Sequence, residues 1–222
     1  MRGRNISTSK RRIGLFGGSF DPPHVGHVAL ARAALARLPL DAVWVMPAGR
    51  PVHRALSGRA DGGTRLAWLQ AVFSDEPRIR VLDWEARADH PVPTIETLRR
   101  LHEQCPEASP VLLLGADAFA GMPGWVDYPA HARLCDVAVF ARAGSRAPMP
   151  PPMPPEWRRV TAAELASPGA GRAVFVDAAL PDVSATAVRQ RAARGESLAG
   201  LVPECVRAAI ERAYGPRKQE MT

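Results

Sequence analysis

The chain has 222 residues, 46% of them hydrophobic, which is long enough to bury a sizeable core without disulfide support. Its three cysteines are widely spaced and include no CxxC pair, so the sequence favours free thiols over a disulfide framework or a zinc site. The formal net charge is +7, but five of the positive charges lie within the first twelve residues, on Arg2, Arg4, Lys10, Arg11 and Arg12.

This basic stretch predicts a solvated tail over residues 1–12 rather than a nucleic-acid-binding surface, because little net charge is left on the rest of the chain. The sequence contains no run of about eighteen apolar residues. We therefore expect a soluble, cytoplasmic protein with no membrane partner.

Apolar runs alternate with helical patterns over residues 13–214, which we expect to form a single domain followed by a C-terminal tail, residues 215–222. The apolar runs predict strands at residues 13–16, 42–46, 79–82, 111–114, 137–140 and 173–176. Apolar residues at three- and four-residue spacing predict helices at residues 25–38, 64–73, 94–104, 184–194 and 203–214. The alternation predicts an α/β fold, a doubly wound, mostly parallel sheet with helices on both faces. The proline-rich residues 146–157 predict a stiff, exposed connection.

The first predicted strand runs into the sequence GGSFDPPHVGH, residues 17–27. Gly17 and Gly18 would let the backbone approach a ligand closely, and Gly26 would keep the space between two histidines clear. The spacing of His24 and His27 puts both imidazoles on one side of the first turn of the next helix, where a polyphosphate is the natural occupant. Two other interpretations are histidines that serve packing and half of a zinc site, but no further ligands with metal spacing lie nearby.

A second motif, VSATAVRQR, occupies residues 183–191. Ser184 is a good helix N-cap, and Thr186 and Arg189 lie near the same helix end. Alone, this pattern is typical of an ordinary capped helix with a surface arginine. Together with the first motif, it predicts two helix N-termini that converge on one polyphosphate.

These two motifs, with LLLGAD at residues 112–117 between them, resemble the bacterial nicotinate-mononucleotide adenylyltransferases. These enzymes belong to the nucleotidyltransferase superfamily with an HxGH motif, and the resemblance spans about residues 13–214. It implies a Rossmann-like nucleotidyltransferase fold that transfers the adenylyl group of ATP to nicotinate mononucleotide. The products are deamido-NAD (nicotinate adenine dinucleotide) and pyrophosphate, a step of NAD biosynthesis, with Mg²⁺ arriving with ATP and no metal site in the protein itself.

The resemblance also implies roles for individual residues. The residues that would take part in catalysis are His24, His27 and Arg189. Those that would bind ATP and its phosphates are Gly17, Gly18, Ser19, Phe20, His24, His27, His53, Arg54, Gly115, Asp117, Ser184, Thr186 and Arg189. Those that would bind nicotinate mononucleotide are Thr94, Trp125 and Val126, with the tryptophan stacking on the pyridine ring.

The sequence departs from the family pattern at Pro93 and Val126, where the pyridine substituent would be recognised. An adenylyltransferase that acts on nicotinamide mononucleotide or another phosphorylated acceptor is therefore an alternative. A second alternative, from a different class, is a non-catalytic nucleotide- or nucleic-acid-binding protein that uses the basic tail. Homo-oligomerisation is compatible with either class.

Overall fold

The structure, a computed structural model, describes residues 10–49, 60–141 and 152–216. Two residues predicted to bind ATP, His53 and Arg54, lie outside the described residues. So do most of the predicted N-terminal tail, residues 146–151 of the proline-rich connection and residues 217–222.

Seven strands form one sheet in the order β3-β2-β1-β4-β5-β7-β6, and every pair of neighbours is parallel. Their bounds are β1 Arg11–Gly18, β2 Ala42–Pro47, β3 Ile79–Val81, β4 Ala108–Gly115, β5 Asp136–Phe140, β6 Arg158–Arg159 and β7 Arg172–Val176. The prediction of a doubly wound α/β sheet is confirmed.

The α-helices are α1 Val25–Arg37, α2 Gly62–Val72, α3 Thr94–Gln104, α4 Ala116–Gly121, α5 Tyr128–Leu134, α6 Ala185–Ala193 and α7 Glu204–Tyr214. Helices α1 and α2 contribute buried residues to the core on one face of the sheet, and α3, α4 and α5 contribute to the core on the other face. Helices α6 and α7 form a third apolar cluster with α2. Both faces of the sheet are therefore covered, which explains why its strands are apolar throughout.

The five predicted helices lie within two residues of those in the structure. The elements that the sequence did not predict are short: α4 has six residues, α5 has seven, β6 has two, and two 3₁₀ helices have three and four. Segments of this length contain too few turns or alternations for a periodic pattern to emerge.

The predicted boundary of the N-terminal tail is wrong at its end. Strand β1 begins at Arg11, two residues earlier than expected, and Arg12 is only 3% exposed. The guanidinium of Arg12 donates to Ser109 Oγ at 2.5 Å and to Asp136 Oδ2 at 2.7 Å. Arg12 is therefore buried because it pairs with the buried carboxylate of Asp136, a partner so distant in sequence that no local pattern reveals it.

The end of the proline-rich segment also differs from the expected exposed connection. Residues 152–157 form neither helix nor strand, as predicted, but the side chain of Trp157 is buried against Phe119. Its indole N–H donates to the hydroxyl of Tyr128 at 3.2 Å. This segment is thereby held to the face of the sheet covered by α4 and α5.

The strand order reverses between β1 and β4, the strands from which the chain winds outward in opposite directions. A crevice opens outside the carboxyl ends of two such strands, and ligands of doubly wound sheets bind there. Within the part of the chain that the structure describes, no helix is both long and apolar enough to cross a membrane.

Candidate active site

A cavity of about 1000 Å³ lies at the point where the strand order reverses. Its walls include the ends of β1 and β4, through Gly17, Gly18 and Leu114. Of the sequence-predicted site residues, the structure brings these to its walls: Gly17, Gly18, Ser19, His24, His27, Thr94, Asp117, Trp125, Val126, Ser184, Thr186 and Arg189. One cavity therefore contains nine of the thirteen predicted ATP-binding residues and all three predicted acceptor-binding residues.

The two histidines of the first motif lie at the start of α1. Their rings stack with centroids 3.6 Å apart, which confirms that both imidazoles lie on one side of the helix end. The backbone N–H of His24 donates to Nδ1 of His27 at 3.1 Å. Because Nδ1 accepts, the proton of a neutral His27 resides on Nε2, which makes Nε2 a hydrogen-bond donor.

The glycines around these histidines leave space where the sequence predicted it. A Cβ at Gly17 would meet nothing within 4 Å, so the backbone there is open. A Cβ at Gly26 would lie 3.1 Å from the His24 ring, closer than side-chain contacts normally come. A side chain at position 26 would therefore require the His24 ring to shift by a few tenths of an ångström.

Phe20 was predicted to bind ATP, but its side chain does not reach the cavity. The ring is 1% exposed and makes edge-to-face contacts with Phe16 and His27, at centroid distances of 5.2 and 4.8 Å. Its backbone has φ of 45°, a left-handed conformation that costs a non-glycine residue on the order of 1 kcal/mol. Burial of the ring offsets this strain, so Phe20 supports the His27 imidazole from behind.

The second motif forms the N-terminus of α6. Ser184 is the N-cap, as predicted, and its Oγ accepts from the backbone N–H of Ala187 at 3.1 Å. The Arg189 guanidinium donates to Thr186 Oγ1 at 3.3 Å and to the backbone carbonyl of Asp21 at 2.6 Å. The last contact joins the two motifs across 168 residues of sequence and puts both helix ends at one cavity.

Arg65 of α2 was not singled out from the sequence. It donates to the backbone of Ser19, which lines the cavity beside His24 and His27, the predicted phosphate end. Its side chain is completely buried and donates to three backbone carbonyls, those of Ser19, Gly49 (3.0 Å) and Ala60 (3.4 Å). Burial lowers the pKa of its guanidinium, an effect opposed by the nearby Asp21. Three separate chain segments are thus joined by one buried cation.

The predicted acceptor-binding residues line the same cavity from other elements of the fold. Thr94 is the first residue of α3, after Pro93, and Trp125 follows the short 3₁₀ helix Met122–Gly124. The Trp125 ring meets the His131 ring at a centroid distance of 5.7 Å. Val126 is 49% exposed, unusually high for a large apolar residue, so an apolar surface borders the cavity at this end.

Two buried titratable groups at this end were also missed by sequence reasoning. Glu85 is 8% exposed and accepts from Thr97 Oγ1 at 2.7 Å, and burial raises the pKa of its carboxyl group. His131 bonds through Nδ1 to the carbonyl of Tyr128 at 3.0 Å, and burial lowers the pKa of its ring. Both shifts favour the neutral form of the group, since burial penalises its charged form.

The remaining predicted residue with a described position is Gly115, which caps the N-terminus of α4 and is not among the residues that line the cavity. A Cβ there would meet nothing within 4 Å. Asp117, two residues further, does line the cavity. Among the residues missed, Asp21 stood inside the first motif, whereas Arg65 has no local signal because two of its three partners, Ser19 and Gly49, are distant in sequence.

No group of three or more histidine, cysteine, aspartate or glutamate side chains could hold a metal ion within the described ranges. The end of the cavity lined by His24, His27, Ser184 and Arg189 presents imidazole, hydroxyl and guanidinium groups, which are donors for anions, together with the single carboxylate of Asp21.

Comparisons with known proteins identify the family to which this sequence is similar. The profile of the cytidylyltransferase-like family matches residues 15–191. The chain is 41% identical over 205 residues to a probable nicotinate-nucleotide adenylyltransferase of Bordetella petrii, covering 91% of this chain and 97% of the relative. A relative of the same name from Exiguobacterium sibiricum is 37% identical over 200 residues, covering 90% of this chain and 96% of the relative.

Among solved structures, the fold is similar to the Plasmodium falciparum nicotinic acid mononucleotide adenylyltransferase complexed with NaAD. The TM-score is 0.69 at 14% identity, covering 91% of this chain and 95% of that chain. The same enzyme complexed with APC gives a TM-score of 0.65 at 12% identity, with the same coverage. At these identities the likeness shows the fold alone.

Proposed function

The chain belongs to the nicotinate-nucleotide adenylyltransferase family of cytidylyltransferase-like proteins, and from this premise we propose that its cavity joins ATP to nicotinate mononucleotide. The products are nicotinate adenine dinucleotide and pyrophosphate. The observation that carries the proposal is the convergence of two helix N-termini, those of α1 and α6, on one end of a cavity whose other end is apolar and aromatic.

The reaction needs no activated side-chain nucleophile. An oxygen of the mononucleotide phosphate forms a bond to the α-phosphorus of ATP while the bond from that phosphorus to the bridging oxygen breaks, and pyrophosphate leaves. The attacking phosphate is already anionic near neutral pH, so no general base is required. What the protein must supply is alignment of two anions and stabilisation of charge on the transferring and departing phosphates.

The phosphate end is suited to that task. His27 offers a donor at Nε2 because its Nδ1 accepts from the His24 backbone, and Arg189 adds a guanidinium at the other helix end. Open backbone at Gly17 and the first turns of α1 and α6 add N–H groups and favourable dipoles. We assign His24, His27 and Arg189 to stabilisation of charge that develops on the phosphates.

The acceptor end suits a pyridine ring. Trp125 provides an aromatic face, Thr94 lies at the N-terminus of α3, and the exposed Val126 extends the apolar surface. We assign these residues to nicotinate mononucleotide, with the pyridine carboxylate near the N-terminus of α3, where the helix dipole favours an anion.

Magnesium enters this proposal as part of the substrate. Because the described residues form no carboxylate or histidine cluster, we propose that Mg²⁺ arrives bound to the phosphates of ATP and leaves with pyrophosphate. A cytoplasmic location follows from these substrates and stays a prediction.

The decisive experiment measures pyrophosphate release from ATP and Mg²⁺ with nicotinate mononucleotide and, in parallel, with nicotinamide mononucleotide. A higher kcat/KM for the acid supports the proposal. An equal or higher kcat/KM for the amide keeps the chemistry but reassigns the acceptor. No pyrophosphate with either acceptor, together with ATP or nucleic-acid binding, would favour a binding protein without turnover.

The variant Trp125→Ala tests the acceptor end separately. Loss of the stacking surface should raise the KM for the mononucleotide by about tenfold, since an aromatic stacking contact contributes on the order of 1–3 kcal/mol. The KM for ATP should stay within about twofold of the wild type, because the substitution removes no contact to the phosphates. Equal increases in both KM values would show that Trp125 does not belong to an acceptor subsite.

A further inference from the structure

The carboxylate of Asp21 lies at the meeting point of the two phosphate-binding motifs. It is 3% exposed, and two side chains from distant parts of the chain reach the residue. Tyr214 donates its hydroxyl hydrogen to Oδ1 of Asp21, and Arg189 donates to the backbone carbonyl of Asp21 at 2.6 Å. The same arginine nitrogen is 3.9 Å from Oδ2 of Asp21, a loose ion pair that is beyond hydrogen-bond distance.

Tyr214 is the last residue of α7, and the packing of this helix determines where its hydroxyl lies. Val206, Ile210 and Tyr214 are spaced by four residues, so they share one buried face of the helix. Their cluster includes Trp68 of α2, whose ring centroid is 6.1 Å from that of Tyr214. The phenol is 4% exposed and meets Asp21 across 193 residues of sequence.

The chemistry of Arg189 explains why this contact matters. A buried, ionised carboxylate beside an arginine attracts the guanidinium and competes with any phosphate for its donors. The Tyr214 hydroxyl satisfies Oδ1 of that carboxylate, and the arginine donates to the uncharged carbonyl. Burial and the contact with Asp21 raise the pKa of the phenol, so it remains a donor near neutral pH.

We propose that Tyr214 is a positioning residue for the adenylyl-transfer site: by holding the Asp21 carboxylate, it keeps Arg189 oriented toward the ATP phosphates. This inference rests on the proposed function, in which Arg189 binds those phosphates. It assigns a role in ATP binding to the end of the C-terminal helix, which lies outside both phosphate motifs.

The test removes only the hydroxyl group, in the variant Tyr214→Phe. Without the donor, Asp21 draws Arg189 from the loose ion pair into a closer, hydrogen-bonded one, so the KM for Mg-ATP should rise by about tenfold, the loss expected for one hydrogen bond to a charged group. The KM for nicotinate mononucleotide should change by less than about twofold, because no contact of the acceptor end is altered. ATP affinity measured by calorimetry without the acceptor should fall by a similar factor.

The other tyrosine of the chain provides a matched control. Tyr128 is also buried, and its hydroxyl donates to a carboxylate, Oε2 of Glu156, at 2.9 Å. Tyr128→Phe therefore removes a tyrosine–carboxylate hydrogen bond, together with the bond that the hydroxyl accepts from the indole N–H of Trp157, without touching Asp21. We expect a decrease in melting temperature for both variants but an increased KM for Mg-ATP only for Tyr214→Phe.

A double-mutant cycle with Asp21→Asn tests the proposed route through Asp21. In the Asp21→Asn background the competing charge is absent, so the additional Tyr214→Phe change should alter the KM for Mg-ATP by less than about twofold. The proposal is overturned if Tyr214→Phe binds ATP like the wild type or like Tyr128→Phe. It is equally overturned if the Tyr214→Phe effect has the same size in the wild-type and Asp21→Asn backgrounds. A wild type that releases no pyrophosphate with any acceptor would instead refute the proposed function.

Discussion

At the scale of single residues, the surroundings of His27 determine what its ring can do. Its Nδ1 accepts from the His24 backbone, Phe20 packs against one edge, and the His24 ring stacks on it. These contacts restrict both the orientation and the tautomer of the imidazole. A ring held in this way loses little freedom when it binds a phosphate, which is the condition for effective transition-state stabilisation.

Replacing His27 with alanine should lower kcat by about 100-fold or more, equivalent to about 2.7 kcal/mol of barrier stabilisation. Steady-state pyrophosphate release measures this change. His90→Ala is the control, because His90 is exposed, pairs with Asp89 and is not among the residues that line the cavity. A His27→Ala enzyme that turns over at the wild-type rate would contradict the assigned role.

The buried ring of His131 makes the free energy of unfolding depend on pH. Burial lowers its pKa in the folded state below the ordinary value of 6.5, so the unfolded chain takes up a proton first as the pH falls. The associated stability is present above the unfolded pKa and is lost as the pH falls through the lower, folded pKa. His131→Leu should remove this pH dependence.

Denaturant unfolding of the wild type and His131→Leu, at about pH 7.5 and about pH 5.5, checks the prediction on either side of the ordinary histidine pKa. The free energy of unfolding of the wild type should fall more steeply between these pH values than that of the variant. Parallel pH profiles would show that His131 is as easily protonated in the folded protein as in the unfolded chain.

At the scale of elements, α2 shows how a helix behind a site can organise it. Asp61 caps the helix by accepting from Thr64 N–H at 2.7 Å, and one turn later Arg65 reaches the carbonyls of Ser19, Gly49 and Ala60. Ser19 lies in the turn between β1 and α1, which we call the phosphate turn. The buried guanidinium of Arg65 therefore fixes the position of this turn relative to α2. A guanidinium suits this task because its donors diverge in a fixed plane.

Arg65→Lys retains the charge but cannot satisfy three diverging carbonyls at once. We expect a decrease of about 2 kcal/mol in the free energy of unfolding and at least about a tenfold loss of kcat/KM for ATP. The matched control is Arg32→Lys, since Arg32 forms a solvent-exposed ion pair with Glu76. Wild-type kinetics in Arg65→Lys would mean that the phosphate turn does not depend on this arginine.

At the scale of the whole molecule, the two ends of the sheet have different tasks. The carboxyl ends of the strands border the cavity, whereas the opposite ends hold a buried ionic network. In this network the Asp136 carboxylate bridges Arg12 and Arg172, with N···O distances of 2.7 Å to each. The network joins the starts of β1, β5 and β7 and lies away from the proposed chemistry.

Asp136→Asn should leave two buried arginines without their counter-charge and destabilise the protein by about 3 kcal/mol, or about 6–12 °C in Tm. Because the change is at the opposite end of the sheet, KM and kcat measured well below Tm should match the wild type. Glu196→Gln, which breaks an exposed pair with Arg194, should leave Tm nearly unchanged. A large fall in kcat at full stability would contradict this separation of stability from catalysis.

Local patterns in the sequence determined a large part of this description. The five longer helices, six of the seven strands and the parallel sheet follow from apolar periodicity, because burial on one or both faces requires it. The N-cap at Ser184 and the paired imidazoles of His24 and His27 follow from spacing within a single helical turn. Such features depend on neighbours within about four residues, so the sequence displays them directly.

Only the tertiary structure decided which distant groups meet. Arg12 is buried because it pairs with Asp136. Arg65 is held by backbone carbonyls that include that of Gly49. Asp21 is held by Tyr214 and Arg189. None of these pairings leaves a local pattern, because a hydrogen bond between residues far apart in sequence depends on how helices pack on the sheet. The sequence by itself therefore determined the elements and the two phosphate motifs, and the packing of α2, α6 and α7 decided how those motifs are held against one cavity.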